Sequence, residues 1–247
     1  MEFADRRQAG IRLGQKMKLR QLVRPLVLAI PRGGVEVGAA IAGELGAELD
    51  VVLARKVPAP SQPELAAGAV GEDGSVIWNE DVLQIMHLNE EDLAESRNRT
   101  LAEIKARRQR YRAIRPRADV RGRSVIITDD GLATGATMLA ALRDIKSRQP
   151  LELIMAVPVA STRSLNLARP LADSVYCLID DPNFQAVGYY YTNFEQVSDA
   201  EVEKLLRAGE RCLIFVACGG EYQLSDSELI GLISNAGNLK RCHHDYF

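Results

Sequence analysis

The sequence predicts an α/β chain in which a parallel sheet is covered by helices on both faces. Three observations predict it. Short stretches that are almost wholly apolar recur at 26–30, 124–128 and 151–157, as expected of strands buried on both faces. Helix-like segments fall between successive strands, the alternation that builds parallel sheets. Glycine-containing breaks at 31–34 and 131–135 follow two of these strands closely, and ligands of open parallel sheets bind beyond the carboxyl ends of the strands.

Residues 3–20 carry Phe3, Ile11, Leu13, Met17 and Leu19 at helix-compatible spacing. A strand at 26–30 is broken by Pro31-Arg32-Gly33-Gly34, and a helix over 35–45 ends at Gly46. The next buried strand is 50–54. Residues 57–66, VPAPSQPELA, hold three prolines and read as a loop. AAGAV and SVIW, split by Glu72-Asp73-Gly74, predict a hairpin.

A long helix is expected from about residue 90, with Asn89 as N-cap and Asp92 at its third position. Leu93, Leu101, Ile104 and Tyr111 give it an inner face, and Glu95–Arg99 and Glu103–Arg107 are spaced as i,i+4 pairs. A strand at 124–128, a helix over 134–147, a strand at 151–157, a helix near 162–171 and a strand at 174–179 complete the alternation. Ser198 and Glu201 form a capping box with Val197 and Val202 as its hydrophobic staple. Ser225 and Glu228 repeat the device, and LIFVACGG at 213–220 between them reads as a strand and turn.

The chain has 247 residues, 47% hydrophobic and 26% charged, the composition of a globular protein. With 31 basic and 33 acidic residues, its formal charge of -2 argues against a dedicated nucleic-acid binder. No apolar run approaches the roughly 18 residues of a membrane span, and the polar N-terminus lacks a signal-peptide centre. Cys177, Cys212, Cys218 and Cys242 have no CxxC pairing, so a cytoplasmic protein with reduced thiols is expected.

Two loops carry chemistry. In VIITDDGLATGATM, at 125–138, Asp129 and Asp130 stand side by side at the end of a buried strand, where they repel and are costly to desolvate. A bound group there offsets the cost. Ala133, Thr134, Gly135, Ala136 and Thr137 then offer small residues, two hydroxyls and a helix N-terminus, which together make a phosphate cradle. It is not a P-loop, which places lysine where this chain has Ala136. Vicinal hydroxyls of a ribose would donate to both carboxylates, and a divalent cation would share the site. In the PRGG loop, Gly33 and Gly34 allow close backbone approach and Arg32 offers a bidentate donor for phosphate.

The stretch 125–138 resembles the 5-phosphoribosyl-1-pyrophosphate (PRPP) signature of type I phosphoribosyltransferases, and DDGLATGATM is especially similar to its form in the adenine enzymes. The resemblance implies a doubly wound sheet with a flexible lid loop and a small hood. It implies that Asp129 and Asp130 hold the ribose hydroxyls together with Mg²⁺, and that 133–137 hold the 5-phosphate. It makes PRGG the pyrophosphate loop, Arg55-Lys56 the basic pair that opens the mobile loop, and 57–66 the lid. Within that lid Glu64 could act as an acid or base, and the plainer reading is a solvated loop glutamate. DDPNFQAVGYYYTNF, at 180–194, resembles the hood segment that stacks an aromatic ring on the base, here Phe184; the alternative is that its rings pack a cover over the sheet. Ala133 replaces an aspartate found in the 6-oxopurine enzymes, and Thr192 replaces an acidic residue of the purine enzymes.

The resemblance extends over residues 1–208 as one phosphoribosyltransferase domain, and leaves 209–247 as an extension of unknown role. Within it, FADRRQAG at 3–10 and RKVPAPSQPELAAGA at 55–69 are similar to segments of bacterial phosphoribosyltransferase-domain proteins. It implies transfer of phosphoribosyl from PRPP to a nucleobase or other nitrogenous acceptor, with Arg32, Arg55 and Lys56 neutralising the departing pyrophosphate. Related enzymes are often homodimers.

An alternative is a non-catalytic nucleotide or PRPP sensor. Residues 97–123 hold eleven Lys or Arg against only Glu103 and Asp119, a stripe able to meet nucleic-acid phosphates or to pair internally. Cys212, Cys218, Cys242, His243 and His244 match no standard zinc spacing.

Overall fold

In the computed structural model, which describes residues 2–217 except for the side chains of Pro63, Glu64 and 209–217, the apolar stretches become a five-stranded sheet. In chain order the elements are α1 (Arg6–Met17), β1 (Leu26–Ala29), α2 (Gly34–Leu45) and β2 (Glu48–Val51). A second set follows, β3 (Arg55–Ala59), β4 (Gln62–Val70), β5 (Val76–Trp78), α3 (Glu80–Met86) and α4 (Ala94–Arg112). The chain then returns with β6 (Ser124–Thr128), α5 (Ala136–Ser147), β7 (Glu152–Ser161), α6 (Thr162–Ala168) and β8 (Ser174–Asp181). A short 3₁₀ turn (Val187–Tyr190) and α7 (Asp199–Ala217) come last.

The sheet order is β2-β1-β6-β7-β8, and every neighbouring pair is parallel. Both faces are covered, as alternate residues require. Val27, Ala29, Ile126 and Ile154 face a cluster with Leu13, Met17, Ile41, Ile104 and Val202. Leu26, Leu28, Val125, Ile127 and Met155 face another with Met138, Leu142, Ile145 and Leu165. Each of these side chains larger than alanine contributes about 1.5–3 kcal/mol on leaving water. The order reverses between β1 and β6. These adjacent strands carry PRGG and the acid pair at their carboxyl ends, so the fold brings both loops to the switch point.

Several expectations are corrected. Residues 57–66 are not a loop: β3 and β4 pair antiparallel through them, and β4 pairs with β5 as the sequence predicts. Pro58 is accommodated because the register shifts there, where a bulge relieves the missing N–H, and Pro60 lies in the turn between the two strands. Leu19 is 99% exposed and lies beyond α1, whose inner face is Ala9, Gly10, Leu13, Gly14 and Met17. Small residues there let the helix press on α2; a Cβ on Gly10 would stand 2.5 Å from the Val37 carbonyl oxygen.

The Asn89–Asp92 box forms, but α4 starts only at Ala94, and the sequence reading does not anticipate α3, which Asn79 caps. Glu95–Arg99 pairs as spaced, whereas Glu103 pairs with Arg55 instead of Arg107. The capping box of Ser198 and Glu201 forms with Val197 and Val202 buried. Residues 213–217 continue α7 and are not a strand. The second capping box and the cysteines and histidines from Cys218 onward lie outside the described residues, as does the Cys212 side chain. No helix among the described residues is long and apolar enough to cross a membrane.

The basic stripe is mostly an internal ion network. Arg99, Arg110, Arg112, Arg115, Arg117, Arg121 and Arg123 each pair with a carboxylate. At its centre Arg112 donates to both oxygens of fully buried Asp50 at 2.8 and 3.0 Å, and also grips Glu72. Arg112→Ala strands two acids in the interior. It is expected to destabilise the fold by about 3–5 kcal/mol in chemical denaturation, whereas Arg121→Ala, at an exposed pair, should leave the denaturation midpoint nearly unmoved.

Candidate active site at the ends of the first and sixth strands

Asp129 and Asp130 leave β6 half-buried, and Asp129 accepts a hydrogen bond from the Asp130 N–H at 2.8 Å. The PRGG loop lies directly against them. A Cβ on Gly33 would stand 2.0 Å from an Asp130 carboxylate oxygen, and one on Gly34 would stand 2.9 Å from the Asp129 Cα. Glycine is therefore required at both positions by close approach, not by a left-handed backbone. The Pro31–Arg32 peptide is cis. The Arg32 residue is half-buried, and its side chain makes no hydrogen bond or ion pair with a described residue.

The cradle follows. Ala133 and Thr134 are exposed, Gly135 takes φ +79°, and no side chain caps the α5 N-terminus. The first-turn N–H groups of α5 thus have no side-chain acceptor, and the helix dipole favours an anion there. Ser161 and Ser164 donate to the Ala133 carbonyl at 2.9 and 2.6 Å and hold the loop from behind. Thr137 sits half-buried in the first turn beside Ala136.

The acid pair has a counter-ion that sequence reasoning missed. Arg6 donates from Nε to Asp130 at 2.9 Å and from Nη1 to the Glu195 carbonyl at 2.7 Å, and its guanidinium lies 3.8 Å from the Phe194 ring centre. The Tyr191 hydroxyl donates to the Asp130 carbonyl at 2.6 Å. The signal was present in FADRRQAG: Phe3 packs on Tyr191, Asp5 caps α1, Arg6 meets Asp130, and Ala9 and Gly10 fit α2.

Burial and the Asp130 charge push the Asp129 carboxyl well above its ordinary range. Burial also raises Asp130, with Arg6 pulling against it. Arg55 opens β3 in an ion pair with Glu103 at 2.6 Å, with Lys56 beside it on the strand. The Glu64 side chain lies outside the described set. Phe184 is half-buried and stacks on Tyr190, ring centres 5.5 Å apart at 20°, so one of its faces packs within the hood. Among the described residues no group of three or more acids, histidines or cysteines could hold a metal unaided. Two adjacent carboxylates suit Mg²⁺, which keeps waters and takes further oxygens from a bound phosphate ligand.

For an acid whose folded pKa is raised, the neutral form is favoured in the fold, so stability falls as pH rises from the unfolded value of 3.8 through the folded one. Asp129→Asn removes that loss while its amide oxygen keeps the Asp130 N–H. The ligand-free variant is expected to melt higher than the wild type at neutral pH, by about 2–4 °C per kcal/mol gained. The gain should shrink as pH falls toward the ordinary carboxylate range, as followed by thermal unfolding.

Comparison with known proteins accords with this geometry. Residues 16–193 match the phosphoribosyl transferase domain family. Proteins of Mycobacterium tuberculosis strains H37Rv and CDC 1551, provisionally named phosphoribosyl transferases, are 39% identical over 209 residues, 85% of this chain. The chain spans about half their length, 47%. The crystal structure of the protein TT1426 from Thermus thermophilus has a TM-score of 0.77 at 42% identity, covering 84% of this chain and 99% of that one. With its acid pair, its glycine loop and its open helix start gathered at one switch point, and with most of its length matching the family, this chain belongs to the phosphoribosyl transferase domain family.

Proposed function

We propose that the chain transfers the 5-phosphoribosyl group from PRPP to a nitrogenous acceptor of the nucleobase class, releasing pyrophosphate, with Mg²⁺ present. The observation that carries this reading is the packing of the PRGG backbone on the acid pair at the reversal of strand order, beside an uncapped helix. A ligand with a diol, a terminal phosphate and a second anionic group fits such a site. The reading assigns residues 1–208 to the transferase domain and 209–247 to an extension.

In this reading Asp129 and Asp130 accept the ribose hydroxyls, and residues 133–137 receive the 5-phosphate. Arg32, Arg55 and Lys56, with Gly33 and Gly34, meet the pyrophosphate. The bond from ribose C1 to pyrophosphate oxygen breaks, and its electron pair leaves with the pyrophosphate. The acceptor nitrogen bonds C1 and its proton passes to solvent. Mg²⁺, which Asp129 and Asp130 would hold together with the ligand, would supply positive charge to the phosphate oxygens. The protein supplies fixed charge and geometry and excludes water, so no protein nucleophile is needed. The β3–β4 hairpin serves as the cover, and Phe184 presents its free face to the acceptor.

The sensor alternative draws less support, because seven of the eleven basic residues at 97–123 already hold carboxylates. Pyrophosphate release with a panel of bases tests the enzyme. A salt-dependent RNA shift that responds to nucleotide would favour the sensor.

Asp129→Asn with Asp130→Asn is expected to abolish PRPP binding in calorimetry while circular dichroism stays native; unchanged affinity refutes the role of the acids. Arg32→Ala should weaken pyrophosphate by roughly tenfold, the scale of one charge-assisted contact, and leave ribose 5-phosphate nearly unaffected. Equal losses would refute the division of labour between the two loops.

A further inference from the structure

Arg107 stands apart from the other arginines toward the end of α4. It is half-buried, yet its side chain makes no hydrogen bond or ion pair with a described residue. The acid spaced to receive it, Glu103 one turn earlier, is taken by Arg55. By contrast Arg112 and Arg115, on either side of the α4 terminus, both hold carboxylates.

Its place explains what it awaits. Arg107 lines a narrow crevice of about 10 Å³ with Pro31, Leu53, Ala54, Arg55 and Ile104. Pro31 opens the PRGG loop, and Leu53 and Ala54 follow the carboxyl end of β2. Arginines from α4 and β3 therefore converge where the proposed pyrophosphate loop begins, and the side chain of neighbouring Arg32 likewise lacks a described partner. Two cations brought together raise each other's cost unless an anion joins them. Pyrophosphate is such an anion, and planar guanidinium groups match its oxygens in pairs.

We infer that Arg107 is a further ligand of the pyrophosphate group, reaching it from α4 beside Arg55. The inference rests on the PRPP reading of the PRGG loop and adds a contact from outside both loops. In the ligand-free protein Glu103 neutralises Arg55. On binding, pyrophosphate oxygens take over Arg55 and give Arg107 its acceptor. Glu103 then remains one turn from Arg107, so the site stays close to charge balance.

The test compares R107A, R107Q and R108A, the last altering an exposed arginine next in sequence. Calorimetry measures magnesium pyrophosphate and ribose 5-phosphate separately on each. R107A is expected to weaken pyrophosphate about tenfold and to leave ribose 5-phosphate within about twofold, while R108A matches the wild type. R107Q, which keeps the stem that packs on α4, gives the same answer if R107A folds poorly. Wild-type affinity for pyrophosphate in R107Q overturns the inference alone, as does an equal loss in R108A, which marks a general charge effect. Wild-type protein that binds neither ligand overturns the PRPP reading beneath it.

Discussion

Two carboxylates at the end of a buried strand are the constraint around which this site is organised. Side by side and partly desolvated, Asp129 and Asp130 need compensating charge. The fold provides one fixed counter-ion, Arg6, and fixes it from several sides: the Glu195 carbonyl, the Phe194 ring and the more distant Glu36 carboxylate, 3.7 Å away. One cation beside two acids leaves the pair short of positive charge. In the proposed reading that deficit favours a cation-bearing, hydroxyl-donating ligand. The rest follows from the need to seat Arg6. The segment before α1 runs beside the hood, with the Thr192 N–H donating to the Phe3 carbonyl at 2.8 Å, and the Phe3 and Phe194 rings pack on Tyr191, which steadies the Phe194 ring against the guanidinium.

The sheet was legible because burial on both faces leaves a plain mark: residues 124–128 are apolar or β-branched almost throughout, and the strand there is Ser124–Thr128. The acid pair and both glycine loops were legible because each breaks a local rule that a structural role alone does not explain. Residues 57–66 misled because three prolines suggest a loop, while a bulge lets an edge hairpin hold them. Residues 213–217 misled because a short apolar run does not distinguish strand from buried helix, and helix propagation from a good cap at Ser198 decided the matter. Arg6 escaped because its partner lies 124 positions away, and no local spacing reports such a contact.

The arginines of α4 and the segment after it show how one composition serves two purposes. Counted in sequence, they form a stripe of positive charge. In three dimensions half of them, Arg110, Arg112, Arg115, Arg117 and Arg123, face acids contributed by β2, the β4–β5 turn, α5 and α7. Asp50 illustrates the logic: a charge with 0% exposure is tolerated because it receives two hydrogen bonds from Arg112 and one from the Ala118 N–H at 2.9 Å. Such a network adds little net stability over an apolar core, but it penalises misplacement of any element that supplies a member.

That penalty bears on where the cover can move. Arg55 pairs in register with Val70, so the base of the three-stranded sheet lies beside Glu72, which Arg112 and Arg117 grip from α4 and the chain after it. Opening the base would strand buried charge at a cost of about 3–5 kcal/mol. At the other end, Pro60, Ser61 and Gln62 are exposed, and the hairpin there rests on a cluster whose buried members are Ala59, Ala67, Val82 and Leu93. Two of those four are alanines, so less apolar area holds the tip than holds the main sheet. Displacement is therefore cheapest at the tip and most costly at the base, where Arg55 and Lys56 lie. In the proposed reading the hairpin tip, not its base, is the part that bends over the site.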